Sequence, residues 1–234
     1  MHSFFCRFDT APGGFVRLSR NEEDHLFRTL RARSGDEVEL LDGNGGVARA
    51  RVRPDRALEL LELHRVPEPE SRLLLCTAVP RRAKFDVLLK QAAELGVREI
   101  RLIECERSVA RPEGSDRWQT LLQEGCKQSG NPFLPEIFPP VRLGAELDRL
   151  RNVGALICFG AVRPGDAVPA GKFREAATYA WLVGPEGGFT PSEEEQMLAA
   201  GAVGVNLGPY VLRLETAAVC GLAVLRQRMM EAER

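Results

Sequence analysis

Residues 182–195 read LVGPEGGFTPSEEE. An apolar run stops at a proline, a glutamate and two glycines, and an acidic segment follows. Thr190 stands before Pro191, and Glu193 comes three positions after Thr190. That is the pattern of a capping box with proline at the first helical position, so a helix starts at 191. Gly184 to Phe189 is then a strand-to-helix crossover. Such backbone freedom suggests a phosphate loop, but the residue types argue against one. The Gly-Lys-Ser/Thr ending is absent, GPEGG is not G-x-G-x-x-G, and Glu186 would repel phosphate. Two readings remain. The loop brings backbone N–H and C=O groups close to a neutral or cationic ligand, which glycine permits, or it is a tight turn with no ligand.

A second stretch, NLGPYVLRLETAA (206–218), repeats the arrangement: an apolar strand, then Gly-Pro, then a helix start. Arg213, Glu215 and Thr216 fall in or just before the first turn of that last helix. Two such loops at the C-terminal ends of strands are what a binding crevice in an open α/β sheet requires. Arg213 and Glu215 are then a functional pair, with a surface ion pair as the bland alternative.

Working outward, the chain has 234 residues, 44% hydrophobic and 28% charged, with a net charge of −1. This suits a globular protein with a core of its own and gives no global case for nucleic acid, so any such binding needs a local patch. MHSFFCRFDT has no apolar stretch long enough for a signal peptide, and no run suffices to span a bilayer; a cytoplasmic location with no membrane contact is expected. The six cysteines form no CxxC pair, and the three histidines lie in the first third without a metal-ligand spacing, so no metal and no disulfide framework are expected.

Residues 1–70 read as a small β-rich unit. DEVELLDGNGGVARARV (36–52) is a hairpin around a glycine loop, ALELLELHRV (57–66) a further strand, and NEEDHLFRTLRARSGD (21–36) a short helix ended by Gly35. PEPES (67–71) is a linker. From 71 onward strands and helices alternate: RLLLCTAV, KFDVLLKQAAELG, EIRLIE, RWQTLLQEGCKQSG, ALICFG, YAWLVG, PSEEEQMLAAG, VGVNLG and the final TAAVCGLAVLRQRMMEAER. This order predicts a mainly parallel α/β sheet. GAVRPGDAVPAGKF (160–173) reads as an exposed loop. TAAVCGLAVL is apolar on nearly all sides and must be covered all round, within a core or against another chain.

The two loop stretches together resemble the C-terminal signature of the bacterial 16S ribosomal RNA (uracil-N3) methyltransferases, members of the SPOUT, or trefoil-knot, class. The likeness continues through KFDVLLKQAAELGVREIRLIECERSV (84–109), RWQTLLQEGCKQSG (117–130) with LPEI (134–137), and HLFRTLRARSGDEVELLDGNG (25–45), and so covers nearly the whole chain. It implies a PUA-like RNA-binding β-barrel domain over 1–70 and a SPOUT methyltransferase domain over 71–234. In the latter the chain end threads a knot, a topology that connection rules make rare. It implies an S-adenosylmethionine site built by Leu182, Gly184, Pro185, Glu186, Gly187 and Gly188 in the first loop and Leu207, Gly208, Val211, Leu212 and Thr216 in the second. It also implies a homodimer that uses the last helix, and a substrate in the 16S ribosomal RNA of the small subunit.

The chemistry implied is methyl transfer to N3 of a uridine. N3 becomes nucleophilic only when its proton leaves, which puts negative charge on the uracil oxygens. Arg213 is expected to stabilise that charge. Glu215 is expected to take the proton or to orient Arg213, with helix capping by Glu215 or Thr216 as the alternative. The RNA is expected to be gripped by Arg28, Arg31 and Arg33 in RTLRAR and by Arg81, Arg82 and Lys84 in PRRAK, with Tyr210 stacking on a base. Asn131, Phe133 and Tyr210 replace basic residues usual in the family. A knotted-fold RNA-binding factor without catalysis, or a methyltransferase for another RNA, are the alternatives.

Overall fold

The structure is a computed structural model that describes residues 1–80, 82–109, 116–161 and 175–232, without the side chains of Arg82 and Asp116. Most of the expected loop at 160–173 lies outside the described residues. By its contacts the chain divides into Met1–Glu68 with Gln123–Leu134, and Pro69–Leu122 with Pro135–Arg234.

The first unit is a five-stranded sheet. Its strands are β1 (Ser3–Phe5), β2 (Phe15–Val16), β3 (Glu37–Leu41), β4 (Gly46–Val52) and β5 (Leu58–Arg65), in the order β1-β3-β4-β5-β2. Helix α1 (Arg20–Asp24) runs on into a π-helical turn, His25–Thr29. The expected hairpin is β3–β4. Its turn forms because the Asp42 carboxylate accepts the N–H groups of Asn44 at 2.7 Å and Gly46 at 2.8 Å, while Gly43 and Gly45 take φ of 84° and 90°. Alternation sends Val38, Leu40, Ala48, Ala50, Leu58 and Leu60 into one core with Phe4 and Leu26. The other face carries a ladder of ion pairs, with Arg49 on Glu37 and Glu62, and Arg51 on Glu37.

Residues 123–134 complete this unit. The Lys127 ammonium sits 2.7 Å from Glu22, and the backbone of 132–134 joins the glycine turn through Gly45 N–H to Pro132 O and Leu134 N–H to Gly43 O. Phe133 is buried, and a Cβ on Gly45 would stand 2.8 Å from its ring. Asn131 accepts the Phe133 N–H at 3.0 Å. Two of the positions where basic residues are replaced thus serve packing here.

The second unit is a six-stranded sheet, entirely parallel as its alternating pattern predicts. Its strands are β6 (Arg72–Thr77), β7 (Glu99–Glu104), β8 (Glu136–Arg142), β9 (Leu156–Gly160), β10 (Thr178–Val183) and β11 (Val203–Val205), in the order β11-β9-β10-β6-β7-β8. Helices α2 (Arg82–Glu94), α3 (Asp116–Ser129), α4 (Leu143–Asn152), α5 (Pro191–Ala199) and α6 (Leu214–Ala232) connect and cover it. Strand β8 contains Pro139 and Pro140 and lies at the sheet edge, where proline's missing N–H is tolerated.

Helix α6 decides how the C-terminal loops are held. Leu214, Ala218, Gly221, Leu222, Leu225 and Met229 form its buried stripe. Gly221 has no room for a side chain, since a Cβ there would fall 1.8 Å from the Trp181 ring. That indole is fully buried and donates its Nε1–H to Ala217 O at 3.1 Å. Further along, the Arg226 guanidinium donates to Leu95 O at 3.0 Å and Gly96 O at 2.7 Å, closing the C-terminal end of α2. The helix is therefore locked to the central strand β10 and to α2 by specific contacts as well as by apolar area.

Candidate functional site

Both glycine-bearing loops leave the C-terminal ends of parallel strands, the first after β10 and the second after β11. In the first, each glycine answers a different constraint. Gly184 is buried, and a Cβ there would lie 3.2 Å from the ring and N–H of Phe189. Gly187 takes an ordinary φ, but a Cβ would lie 3.2 Å from Arg107 Cδ. Gly188 has a φ of 70°, reached in a turn where its N–H donates to Pro185 O at 2.8 Å. The expected capping box is complete: Thr190 Oγ1 accepts the Glu193 N–H at 3.3 Å, and Glu193 Oε2 accepts the Thr190 N–H at 2.8 Å.

Two further ties come from the turn after β7. Arg107 donates to Gly187 O at 2.8 Å and to Phe189 O at 3.4 Å, and Glu106 N–H donates to Glu193 Oε1 at 2.8 Å. Nothing in the sequence near residue 187 signals this strap, because its partner is 80 positions away. The Cys105 thiol in the same turn is pushed up to about 12 by burial and then by the Glu193 charge, so it stays protonated and unreactive.

The second loop is looser. Asn206 accepts the Gly208 N–H at 2.7 Å, and Gly208 has a φ of 139°. Leu207 comes within van der Waals reach of a Cβ placed on Gly160, at the end of β9, so the ends of β9 and β11 share one wall. Tyr210 and Val211 are 82% and 81% exposed, an arrangement that leaves two large apolar side chains facing solvent. Arg213 is exposed just before α6, and its carbonyl accepts the Ala217 N–H at 2.8 Å.

Glu215, in the first turn of α6, meets Lys84 of α2 with Oε1 3.1 Å and Oε2 3.2 Å from Nζ. Its carboxyl is held below the usual range, first by its own backbone N–H and then, against partial burial, by Lys84 and by the nearby Arg213 charge. A carboxylate held low is a weak base, so the geometry favours anchoring over proton acceptance. Lys84 was expected on RNA and is engaged here within the protein.

The remaining expected residues distribute as follows. Leu182 and Pro185 are buried, Glu186, Gly187, Gly188 and Thr216 are exposed, and Leu207 and Leu212 are half-buried. Arg28 pairs with Asp24 at 3.1 Å, one turn before it. Arg31, with a φ of 55°, and Arg33 are exposed. Arg81 lies outside the described residues, as does the Arg82 side chain. Among the described residues no three His, Cys, Asp or Glu side chains gather as metal ligands, and no helix is long and apolar enough to cross a membrane.

Comparison with known proteins gives the family and the fold. Residues 67–226 match the RNA methyltransferase domain family, and residues 24–60 match the RNA methyltransferase PUA domain. The ribosomal RNA small subunit methyltransferase E of Aquifex aeolicus is 31% identical over 96% of this chain and 99% of its own length. That of Synechocystis is 29% identical over 89% of this chain and 71% of its own. The crystal structure of the Neisseria gonorrhoeae ribosomal RNA small subunit methyltransferase E bound to S-adenosyl methionine superposes with a TM-score of 0.86 at 27% identity, covering 97% of this chain and 98% of that one. A probable rRNA-methyltransferase from Porphyromonas gingivalis gives 0.82 at 26% identity over 100% of both chains. A PUA-like β unit ahead of a SPOUT-type parallel α/β unit is thus a shared design, and this chain belongs to the ribosomal RNA small subunit methyltransferase E family of RNA methyltransferases.

Proposed function

We propose that the chain methylates N3 of a specific uridine in 16S ribosomal RNA, using S-adenosylmethionine held by the loops 184–188 and 207–212. The observation that carries this reading is the pair of glycine loops at the C-terminal ends of β10 and β11, the two strands that flank β9, with Arg213 and the Lys84–Glu215 pair where the second loop enters α6. The loop chemistry fits the donor: exposed backbone at Gly187, Gly188 and Gly208, with Glu186 beside it, suits a cationic ligand and disfavours a phosphate. Bound there, S-adenosylmethionine supplies an electrophilic methyl group on a sulfonium.

The chain's own residues supply position and charge. Arg213 is exposed at the mouth of the second loop and stabilises the anion that develops on the uracil oxygens when N3 loses its proton. Glu215, kept ionised and tied to Lys84, holds the start of α6 and so the angle at which Arg213 leaves the chain. With no neutral base in this turn, water accepts the N3 proton, and the rate rises with pH in step with uridine ionisation. Tyr210, three positions before Arg213 and 82% exposed, stacks on a base of the substrate.

RNA is gripped by the β unit. Its arginines on the sheet face are neutralised by carboxylates, whereas Arg31 and Arg33 form no side-chain ion pair among the described residues and remain exposed. Two copies of the chain assemble through α6, where Ala223 is exposed and Val219, Cys220 and Val224 are half-covered, an apolar face opposite the buried stripe.

Titration calorimetry tests the donor site. S-adenosylmethionine binds the wild type, and Arg213→Ala binds it with similar affinity while losing methyl transfer. An Arg213→Ala variant with full rate would remove Arg213 from the mechanism. A wild type that binds RNA but no S-adenosylmethionine would favour the non-catalytic alternative.

A further inference from the structure

We infer that Arg107 and Glu193 are positioning residues for the methyl donor, acting through the glycine loop; this rests on the reading of that loop as the S-adenosylmethionine site. The turn after β7 is itself fixed, because Cys105 N–H donates to Ser108 Oγ and Ser108 N–H to Cys105 O, both at 3.0 Å. From that base Arg107 reaches the first glycine loop and donates to the carbonyls of Gly187 and Phe189, at 2.8 and 3.4 Å. Those bonds set the planes of the peptides 187–188 and 189–190. They hold the loop at the φ of 70° that Gly188 requires.

Glu193 anchors the far side. One carboxylate oxygen takes the Thr190 N–H and the other the Glu106 N–H, both at 2.8 Å, so a single side chain caps α5 and ties it to the same turn. The strap therefore grips the second half of the loop and the start of α5, and each contact is donated from residues 106 and 107. A loop whose peptide planes are set before binding loses less entropy when the ligand arrives.

Gly187 supports this reading independently. Its φ is ordinary, so nothing in the backbone requires glycine there. A Cβ would lie 3.2 Å from Arg107 Cδ and 3.4 Å from Arg107 Cβ, and its three nearest atoms beyond its chain neighbours all belong to Arg107. The glycine is there to receive the arginine stem. Arg107 is itself exposed, so it contributes little to the core, and its removal acts on loop order more than on folding.

The test is a double-mutant cycle on the full chain, read by calorimetric titration of S-adenosylmethionine and by steady-state kinetics. Arg107→Ala is expected to weaken donor binding about tenfold, the scale of one charge-assisted hydrogen bond net of solvent. The KM for S-adenosylmethionine rises correspondingly while kcat falls less than about threefold, and the melting temperature stays within about 2 °C. Arg107→Lys, with one compact donor, restores part of the affinity. Gly187→Ala weakens binding in the wild type and adds nothing in the Arg107→Ala background.

Arg107→Ala with wild-type affinity and KM would overturn the inference. So would a Gly187→Ala penalty of equal size in both backgrounds, which would place the ligand, not the arginine, against Gly187. Absence of binding by the wild type would instead remove the donor-site reading, and this inference with it.

Discussion

The two glycine loops look alike in sequence and differ in how they are held. The first is braced: Gly184 and Gly187 sit against Phe189 and Arg107, its helix starts with a complete capping box, and a turn 80 positions earlier in the chain grips it. The second has one Asx-type bond at Gly208 and leaves Tyr210 and Val211 bare to solvent. A small, well-defined donor is served by a preorganised pocket, whereas a large RNA substrate is met by exposed side chains that take up order on contact. On the proposed reading the first loop is the preorganised part of the donor site, and the second adds substrate contact and charge stabilisation through Tyr210 and Arg213.

Substitutions sharpen this contrast in descending order of effect. Arg213→Ala is expected to lower kcat on the order of a hundredfold or more, the usual loss when a group that stabilises developing charge is removed. A fall in donor affinity of the same size would erase the distinction between the loops. Gly188→Ala comes next. Its φ of 70° costs about 1–2 kcal/mol with a side chain present, and the loss is expected in donor affinity and melting temperature together. Glu193→Ala removes the carboxylate half of the capping box and the tie to Glu106, while the Thr190 hydroxyl still caps the helix, and is expected to cost about 1–2 kcal/mol and several degrees in melting temperature by calorimetry.

Smaller effects follow on the second loop. Tyr210→Ala is expected to lower kcat/KM for RNA several-fold, about 1 kcal/mol of stacking, with the KM for S-adenosylmethionine unchanged. Tyr210→Phe keeps the ring and the rate. The Lys84–Glu215 pair has a pH signature. The carboxyl of Glu215 titrates lower in the folded chain than when unfolded. Its contribution is therefore full above the ordinary carboxylate range and lost only as pH falls through the lowered folded value. The melting-temperature gap between wild type and Glu215→Gln should hold steady from neutral pH down to about pH 5 and close progressively below it. A gap that closes nearer pH 6 would mean that the pair does not hold the carboxyl low.

Much of this was legible in the residues themselves. The capping box at Thr190 depends on neighbours three positions apart, so local spacing revealed it. The alternation after residue 71 predicted the parallel sheet, and the DGNGG turn predicted the first hairpin. What stayed hidden was long-range or atypical. Strand β8 carries two prolines that argue against a strand unless its edge position is known. Strand β2 has only two residues, too few to show a period.

The Arg107 strap and the Lys84–Glu215 pair join positions 80 and 131 apart, and no local pattern distinguishes an arginine that will brace a loop from one that will face solvent. Helix α6 was read as covered on all sides. The structure shows one buried stripe and an opposite apolar face left half-covered, which moves the question of its cover from the core to a second copy of the chain. Size-exclusion chromatography with light scattering is expected to show a dimer, and Val224→Glu on that face a monomer.

The most direct test of the account is the modified base itself. Small ribosomal subunits lacking the methylation are incubated with the protein and S-adenosylmethionine, and the digested 16S RNA is examined by mass spectrometry. The account predicts 3-methyluridine at one position with the wild type and its near absence with Arg213→Ala. A methyl group on another atom or another RNA, or equal yield from the two proteins, would contradict it.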